Sequence, residues 1–301
     1  MELFFQQLTN GLAVGGIYAL IALGYTMVYG VLKLINFAHG DLFTIGAYLG
    51  LTLLSALGLT DRLGPFGVVL ALAIMVMGLV AVVGIILERI AYRPLRESHR
   101  LSAVVSALGA SIFFQNAVML IYGARYQVYP HDILPKVVIP IFGLNVPLLR
   151  ILILLTSVVM MAALYFFIQK TKTGTAIRAV AIDQGAAKLM GINVNAVIMI
   201  VFLIGPALGG AAGLMVGLYY GQINFTMGWI YGLKAFTAAI LGGIGNIPGA
   251  MLGGLLLGVI EALGAAYISI AWKDAIAFVV LILILIVRPT GLLGERVAEK
   301  V

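Results

Sequence analysis

The sequence predicts an all-α protein that crosses a membrane many times, and three observations carry that prediction. Of 301 residues, 63% are hydrophobic and only 10% charged, against about a quarter charged in ordinary soluble domains. Mean hydropathy is +1.15, and several apolar runs approach or exceed the roughly 20 residues that a bilayer-crossing helix needs. The runs are continuous, whereas strands of a membrane barrel alternate, and the 37 glycines suit helices packed closely in lipid. The expected architecture is a single transmembrane domain over 1–301 with about eight or nine helices, some broken or re-entrant.

The formal charge is +7. Its basic residues are scattered between the apolar runs, which is the pattern of positive-inside topology rather than of a nucleic-acid surface. Membrane lipids are therefore expected partners, and nucleic acid is not. With no cysteine, disulfides, thiol nucleophiles and thiolate metal sites are excluded. The amino end runs into an apolar segment without a basic region or cleavage site, so no separate signal peptide is expected.

The first span is predicted over 11–31, ending at Lys33. The polar stretch INFAHGD at 35–41 interrupts the chain before a glycine-rich second span at 42–59. A turn around Asp61, Arg62, Gly64 and Pro65 leads to a third span at 66–87. The stretch 88–100, ERIAYRPLRESHR, carries four arginines and reads as cytoplasmic. A fourth span covers 101–122, and a proline-punctuated loop at 123–147, with room for a small hairpin, reads as the outer face. The fifth span, 148–168, runs into the most polar stretch of the chain.

That stretch is 169–193, QKTKTGTAIRAVAIDQGAAKLMGIN, with Lys170, Lys172, Arg178 and Lys188 against Asp183. It is too polar for hydrocarbon, yet its residues read as ordered. Thr175 is expected to cap one short helix, Asp183 a second, and Gly191 to end it in a left-handed conformation. Arg178 and Lys188 suit an acidic partner surface, and Ala181, Ala186 and Ala187 leave room for a shallow groove. A merely solvated basic loop is the alternative.

The sixth span is 194–220. The basic stretches 88–100 and 169–193 and the tail with Arg288, Arg296 and Lys300 all belong inside, so an even number of crossings must follow the hinge. With a last span at 275–287, the block 229–268 has to cross twice or re-enter, breaking at GGIGNIPG into about 229–244 and 248–268. The amino terminus then faces out, and twelve of the eighteen basic residues lie inside. NFAHG and GNIPG each precede a glycine-punctuated apolar run, a possible trace of internal duplication.

Few residues offer chemistry. There is no HExxH, no phosphate loop and no pair of carboxylates in one span, and His39, His99 and His131 fall in different regions. Neither a metal site nor catalysis is expected. Asn36, His39, Gly40 and Asp41 form the first constellation: Asp41 would cap a helix opening beside a transport route, or the group is a cytoplasmic turn. Gly242, Gly243, Gly245, Asn246, Pro248 and Gly249 read equally as a gating surface and as packing. Glu261 is the one carboxylate well inside a predicted span, where a structural partner is the natural reading, and Lys234 is expected to snorkel to the outer surface.

Three stretches carry a specific likeness: GGIYALIALGYTMVYGVLKLINFAHGDLFTIGAYLG at 15–50, RAVAIDQGAAKLMGI at 178–192, and AILGGIGNIPGAMLGG at 239–254. Together they resemble the bacterial high-affinity branched-chain amino-acid permease family, in its shorter permease subunit. The resemblance implies an inner-membrane, non-catalytic subunit of an ATP-driven ABC importer working by alternating access. Its implied partners are a homologous second permease, two cytoplasmic ATPases that hold the ATP and magnesium, and a periplasmic amino-acid-binding protein. No cofactor is implied for this chain itself. The segment within 169–193 matches the loop that receives the ATPase, with Arg178, Ala181, Asp183, Ala186, Ala187 and Gly191 as its characteristic residues. Other neutral amino acids, amides or urea remain open as cargo, and a stand-alone secondary transporter or channel is the competing class.

Overall fold

A computed structural model describes residues 2–57, 64–96, 98–130, 137–141 and 144–294. His131, Asp61, Arg62, Arg296 and Lys300 lie outside the described residues. The all-α expectation holds: among the described residues, eight helices are long and apolar enough to cross a membrane.

The first helix, α1 (Glu2–Leu32), is buried almost all round from Gly11 onward. It has no polar face to present to water, so every side can meet another helix. Helix α10 (Ile247–Tyr267) runs antiparallel along it: Gly254 lies on Ala19 and Gly258 on Gly15, close enough that an added Cβ would come within 2.4 Å of backbone. In lipid, such approach replaces the hydrophobic driving force with van der Waals contact.

Around this pair stand α2 (His39–Leu57), α5 (Leu148–Lys170) and α8 (Val194–Tyr220), and α3 (Pro65–Leu87) packs beyond them against α8 and α2. Pro206 inside α8 leaves the Phe202 carbonyl without its helical donor, and Gly84 of α3 packs at this point. The α3 helix continues through a π-turn (Glu88–Tyr92) and a 3-10 turn (Arg93–Leu95). Two helices are peripheral: α4 (Arg100–Tyr122), and α11 (Lys273–Val287), which follows a 3-10 turn (Ile270–Trp272). Their apolar side chains, among them Phe113, Leu120, Ile282 and Ile286, point outward, as expected where the solvent is lipid.

The break near 242–249 falls where the sequence places it, between α9 (Met227–Gly242) and α10. At 16 residues, α9 spans about 24 Å, short of the roughly 30 Å hydrocarbon core. It is the short ninth member of the set. The anticipated hairpin is present as β2 (Val138–Ile141) against β3 (Leu144–Pro147). A second pairing was not anticipated: β1 (Gln127–Val128) joins β4 (Gln222–Ile223), tying the loop after α4 to the segment that leads into α9.

Candidate functional site

The chain leaves α1 through Lys33, held at φ 55, and enters a polar stretch that turns inward. Asn36, His39 and Asp41 are all but fully buried, so this is not a solvent-exposed turn. The His39 imidazole lies in a niche made by missing side chains: an added Cβ on Gly24 of α1 would stand 2.2 Å from Nε2, and one on Gly209 of α8 about 3.4 Å from it. The Tyr25 ring meets it edge-on at 4.8 Å. Gly209 belongs to the middle of α8, which places the break deep in the bundle.

Helix α2 starts at His39, three residues earlier than expected, so Asp41 sits inside the first turn and does not cap it. The reason is the backbone of Asn36 and Ala38, whose carbonyls already accept the first amides, from His39 and from Asp41 and Leu42. Gly40 packs against Gly228, an added Cβ reaching 2.2 Å from its carbonyl. The amino-terminal turns of α2 and α9 therefore meet inside the bundle, and Gly228 is a residue the sequence reading missed. Asn36 Oδ1 accepts a 2.8 Å hydrogen bond from the Tyr92 hydroxyl. Asn36 Nδ2, both His39 nitrogens and Asp41 Oδ1 have no hydrogen-bond partner among the described residues. Each such group carries a desolvation penalty of about 1–3 kcal/mol.

Residues 169–193 contain two short helices, α6 (Lys172–Ile182) and α7 (Gln184–Leu189), which pack one side, through Ile177, Val180 and Ala187, onto the bundle. The first cap is Thr171, whose hydroxyl accepts from the Gly174 amide at 3.0 Å, while Thr175, the expected cap, lies within the helix. Gly174 leaves no room for a side chain against the Ile168 carbonyl, so the chain must turn one residue after α5. Asp183 caps α7 through the Ala186 amide at 3.0 Å, and Gly191 adopts φ 82, both as expected. Arg178 is held by Gln169 Oε1 at 2.7 Å. Ala187 is buried in the core and lines no groove, which corrects that expectation; Ala181 is half-buried, and Ala186 and Lys188 are exposed. The sequence reading also missed Ile182, Leu189 and Met190, which are 88%, 90% and 82% exposed on this polar segment. Three apolar residues within a charged stretch were the available signal.

The glycines at 242–249 form a tight turn. Gly242 packs on Gly249, Gly243 and Gly245 take φ 107 and 95, and Asn246 caps α10 through the Gly249 amide at 3.0 Å. Pro248 occupies the first turn of α10. The tail closes over this turn: Leu292 and Leu293 amides reach the carbonyls of Leu241 and Gly242, and Asn246 Nδ2 reaches the Leu293 carbonyl at 2.8 Å. No hydrogen bond among the described residues joins this turn to Asn36, His39 or Asp41.

Lys234 does not snorkel outward. It is buried, with Nζ 2.8 Å from Glu261 and 2.6 Å from Asp274, and Lys273 reaches the same Glu261 oxygen at 2.8 Å. The Lys side chain turns back toward the start of α9 and meets carboxylates on α10 and α11, a cheaper end than hydrocarbon. On the side expected to face outward, Tyr129 follows β1 and inserts between α2 and α8, where Gly50 and Gly217 admit its ring and its hydroxyl donates to the Ala47 carbonyl. Burial pushes the Tyr129 phenol well above its ordinary pKa, so it stays a donor.

A family model described as branched-chain amino acid transport system / permease component matches residues 7–285. A high-affinity branched-chain amino acid transport system permease protein, BraD of Pseudomonas aeruginosa, is 46% identical over 305 residues, covering 99% of this chain and 98% of its own. The permease protein LivH of Escherichia coli K12 is 44% identical over 301 residues, with the same coverage of 99% and 98%. Among solved structures, a chain described as a metal-chelate type ABC transporter in an inward-facing conformation aligns with TM-score 0.50 at 17% identity, over 93% of this chain and 85% of that one. At that identity the likeness speaks for the fold alone. The match across nearly the whole length of both chains leads to one conclusion: this chain belongs to the family of permease components of branched-chain amino acid transport systems.

Proposed function

We propose that this multi-pass inner-membrane subunit forms half of the pathway of an ATP-driven importer for leucine, isoleucine and valine. Helices α6 and α7 receive a cytoplasmic ATPase, a second homologous permease completes the pore, and a periplasmic binding protein delivers cargo to the face carrying β1 and β4. The observation that carries the reading is the exposure of Ile182, Leu189 and Met190 beside Arg178 and Lys188. Large apolar groups on a polar segment mark a surface that a protein partner covers.

The buried break supports the pathway half of the reading. There the paired amino-terminal turns of α2 and α9 carry partial positive charge, and Asn36 and His39 keep unpaired polar atoms. An amino acid in transit needs such groups for its carboxylate and ammonium. Gly40, Asp41 and the turn at 242–249 belong to the same proposed route, the turn acting as a gate at its inner end. The secondary-transporter alternative is weakened at Glu261, the coupling carboxylate that the sequence offered it, because that group is engaged by two lysines.

The test is reconstitution of the full complex in vesicles with binding protein, comparing ATP-driven uptake of leucine, alanine, an amide and urea. Replacing Arg178 and Asp183 together should lower uptake and ATPase association while leaving membrane insertion intact. Unchanged association and uptake would sink the docking assignment.

A further inference from the structure

Two routes join the α6–α7 segment and the helix that follows it to one buried residue, Asn36: a hydrogen bond from α7 to the end of α1, and polar contacts that begin in the first turn of α8. The first is direct. Gln184, the first residue of α7, donates through Nε2 to the Val31 carbonyl at 2.7 Å. Val31 lies in the last turn of α1, where carbonyls lack helical partners. Five residues on, past the left-handed Lys33, the chain reaches Asn36.

The second route starts where the segment ends. Asn193 caps α8, and in the first turn Asn195 Oδ1 accepts a 2.6 Å hydrogen bond from Arg96. Arg96 also pairs with the buried carboxylate of Glu88. Glu88 opens the π-turn that closes on Tyr92, and the Tyr92 hydroxyl donates to Asn36 Oδ1 at 2.8 Å. A π-turn places successive side chains differently from an α-helix and is frequent at functional positions. Here it keeps the Tyr92 ring on Phe202 of α8, centroids 4.9 Å apart, while aiming the hydroxyl inward. Asn36 in turn accepts the His39 amide through its carbonyl at 3.0 Å, so any shift of Asn36 moves the first turn of α2.

We propose that Tyr92 and Gln184 are positioning residues that carry movement of α6–α7 to the buried break at Asn36. The inference rests on the reading of α6–α7 as an ATPase-docking element and of the break as part of the pathway. Neither residue touches cargo in this role; each fixes where Asn36 stands relative to the docking segment.

The experiment uses the complete complex in vesicles, with leucine as probe, and measures leucine taken up per ATP hydrolysed. Tyr92→Phe removes one hydroxyl and keeps the ring on Phe202. Gln184→Ala removes the link to Val31 at the protein surface, where folding is least at risk. Tyr92→Phe should assemble and hydrolyse ATP like the unaltered complex, and each variant, measured per assembled complex, should lower the uptake-to-hydrolysis ratio by about two- to tenfold, the range of one hydrogen bond. The double variant should lose more than either. A wild-type ratio in both single variants overturns the inference, as does a loss of uptake that only tracks loss of assembled complex. Should Tyr92→Phe fail to assemble, Gln184→Ala decides alone. Absence of ATP-driven leucine uptake by the unaltered complex overturns the parent reading instead, and is seen before any variant is compared.

Discussion

Lys234 Nζ lies 2.8 Å from Glu261 Oε1, a buried ion pair joining α9 to α10. With Lys273 and Asp274 it also anchors α11, which has little other burial. Removing one partner of such a group leaves an uncompensated charge, a loss of about 3–5 kcal/mol. Glu261→Leu should therefore lower the thermal midpoint of the detergent-solubilised protein markedly. Adding Lys234→Met should recover part of the loss, because it removes a buried ammonium whose remaining partner, Asp274, is itself exposed. Unchanged melting of Glu261→Leu would show that the pair contributes nothing.

The niche for His39 yields a steric prediction. A methyl group on Gly24 would collide with the imidazole at 2.2 Å and crowd the Gly205 carbonyl at 3.0 Å. Gly24→Ala should destabilise by about 1–3 kcal/mol, the usual range for overpacking. Combining it with His39→Ala relieves the ring clash and should restore part of the folded yield, read by size-exclusion chromatography. Equal yields for Gly24→Ala and wild type would contradict the packing described.

Asp183 has two separable jobs, a cap through the Ala186 amide and a charge on the exposed segment. Asn caps about as well as Asp, whereas Ala forfeits about 1 kcal/mol of helix stability. Asp183→Asn should thus leave α7 intact while testing the charge, and Asp183→Ala should disturb both. ATPase association measured on purified complexes separates them: if the two variants lose the same amount, the charge is what matters.

Tyr129 tests the link between the loop after α4 and the helices beneath it. Tyr129→Phe deletes the hydrogen bond to Ala47, worth about 1 kcal/mol, and keeps the ring between α2 and α8. Gly217→Ala places a methyl group 2.4 Å from that ring and should expel it. The second variant is expected to cost more stability than the first and to raise protease cleavage in the loop. The reverse order would remove Tyr129 from its assigned place.

Much of the architecture was legible because lipid makes folding local. Without water, each spanning segment has to satisfy its own backbone, so apolar run length marked the helices. Breaks were marked by Asn246, Pro248 and the glycines of 242–249, and Asp183 and Gly191 announced the ends of α7. The errors have equally physical origins. Thr175 looked like a cap because the close approach of Gly174 to Ile168 is invisible in one dimension. Asp41 looked like one because the backbone bonds from Asn36 and Ala38 could not be foreseen.

The amino-acid sequence by itself thus determined the membrane class, the helix set and the polar segment between α5 and α8, through composition and run length. Only the tertiary structure decided which side of each helix faces which neighbour. In a chain this apolar, periodicity carries little information about facing, and the deciding partners are distant in sequence: Lys234 with Asp274, Tyr129 with Ala47, Tyr92 with Asn36. The depth of His39 and the exposure of Ile182, Leu189 and Met190 follow from those contacts, because burial belongs to the packed bundle and not to any one segment.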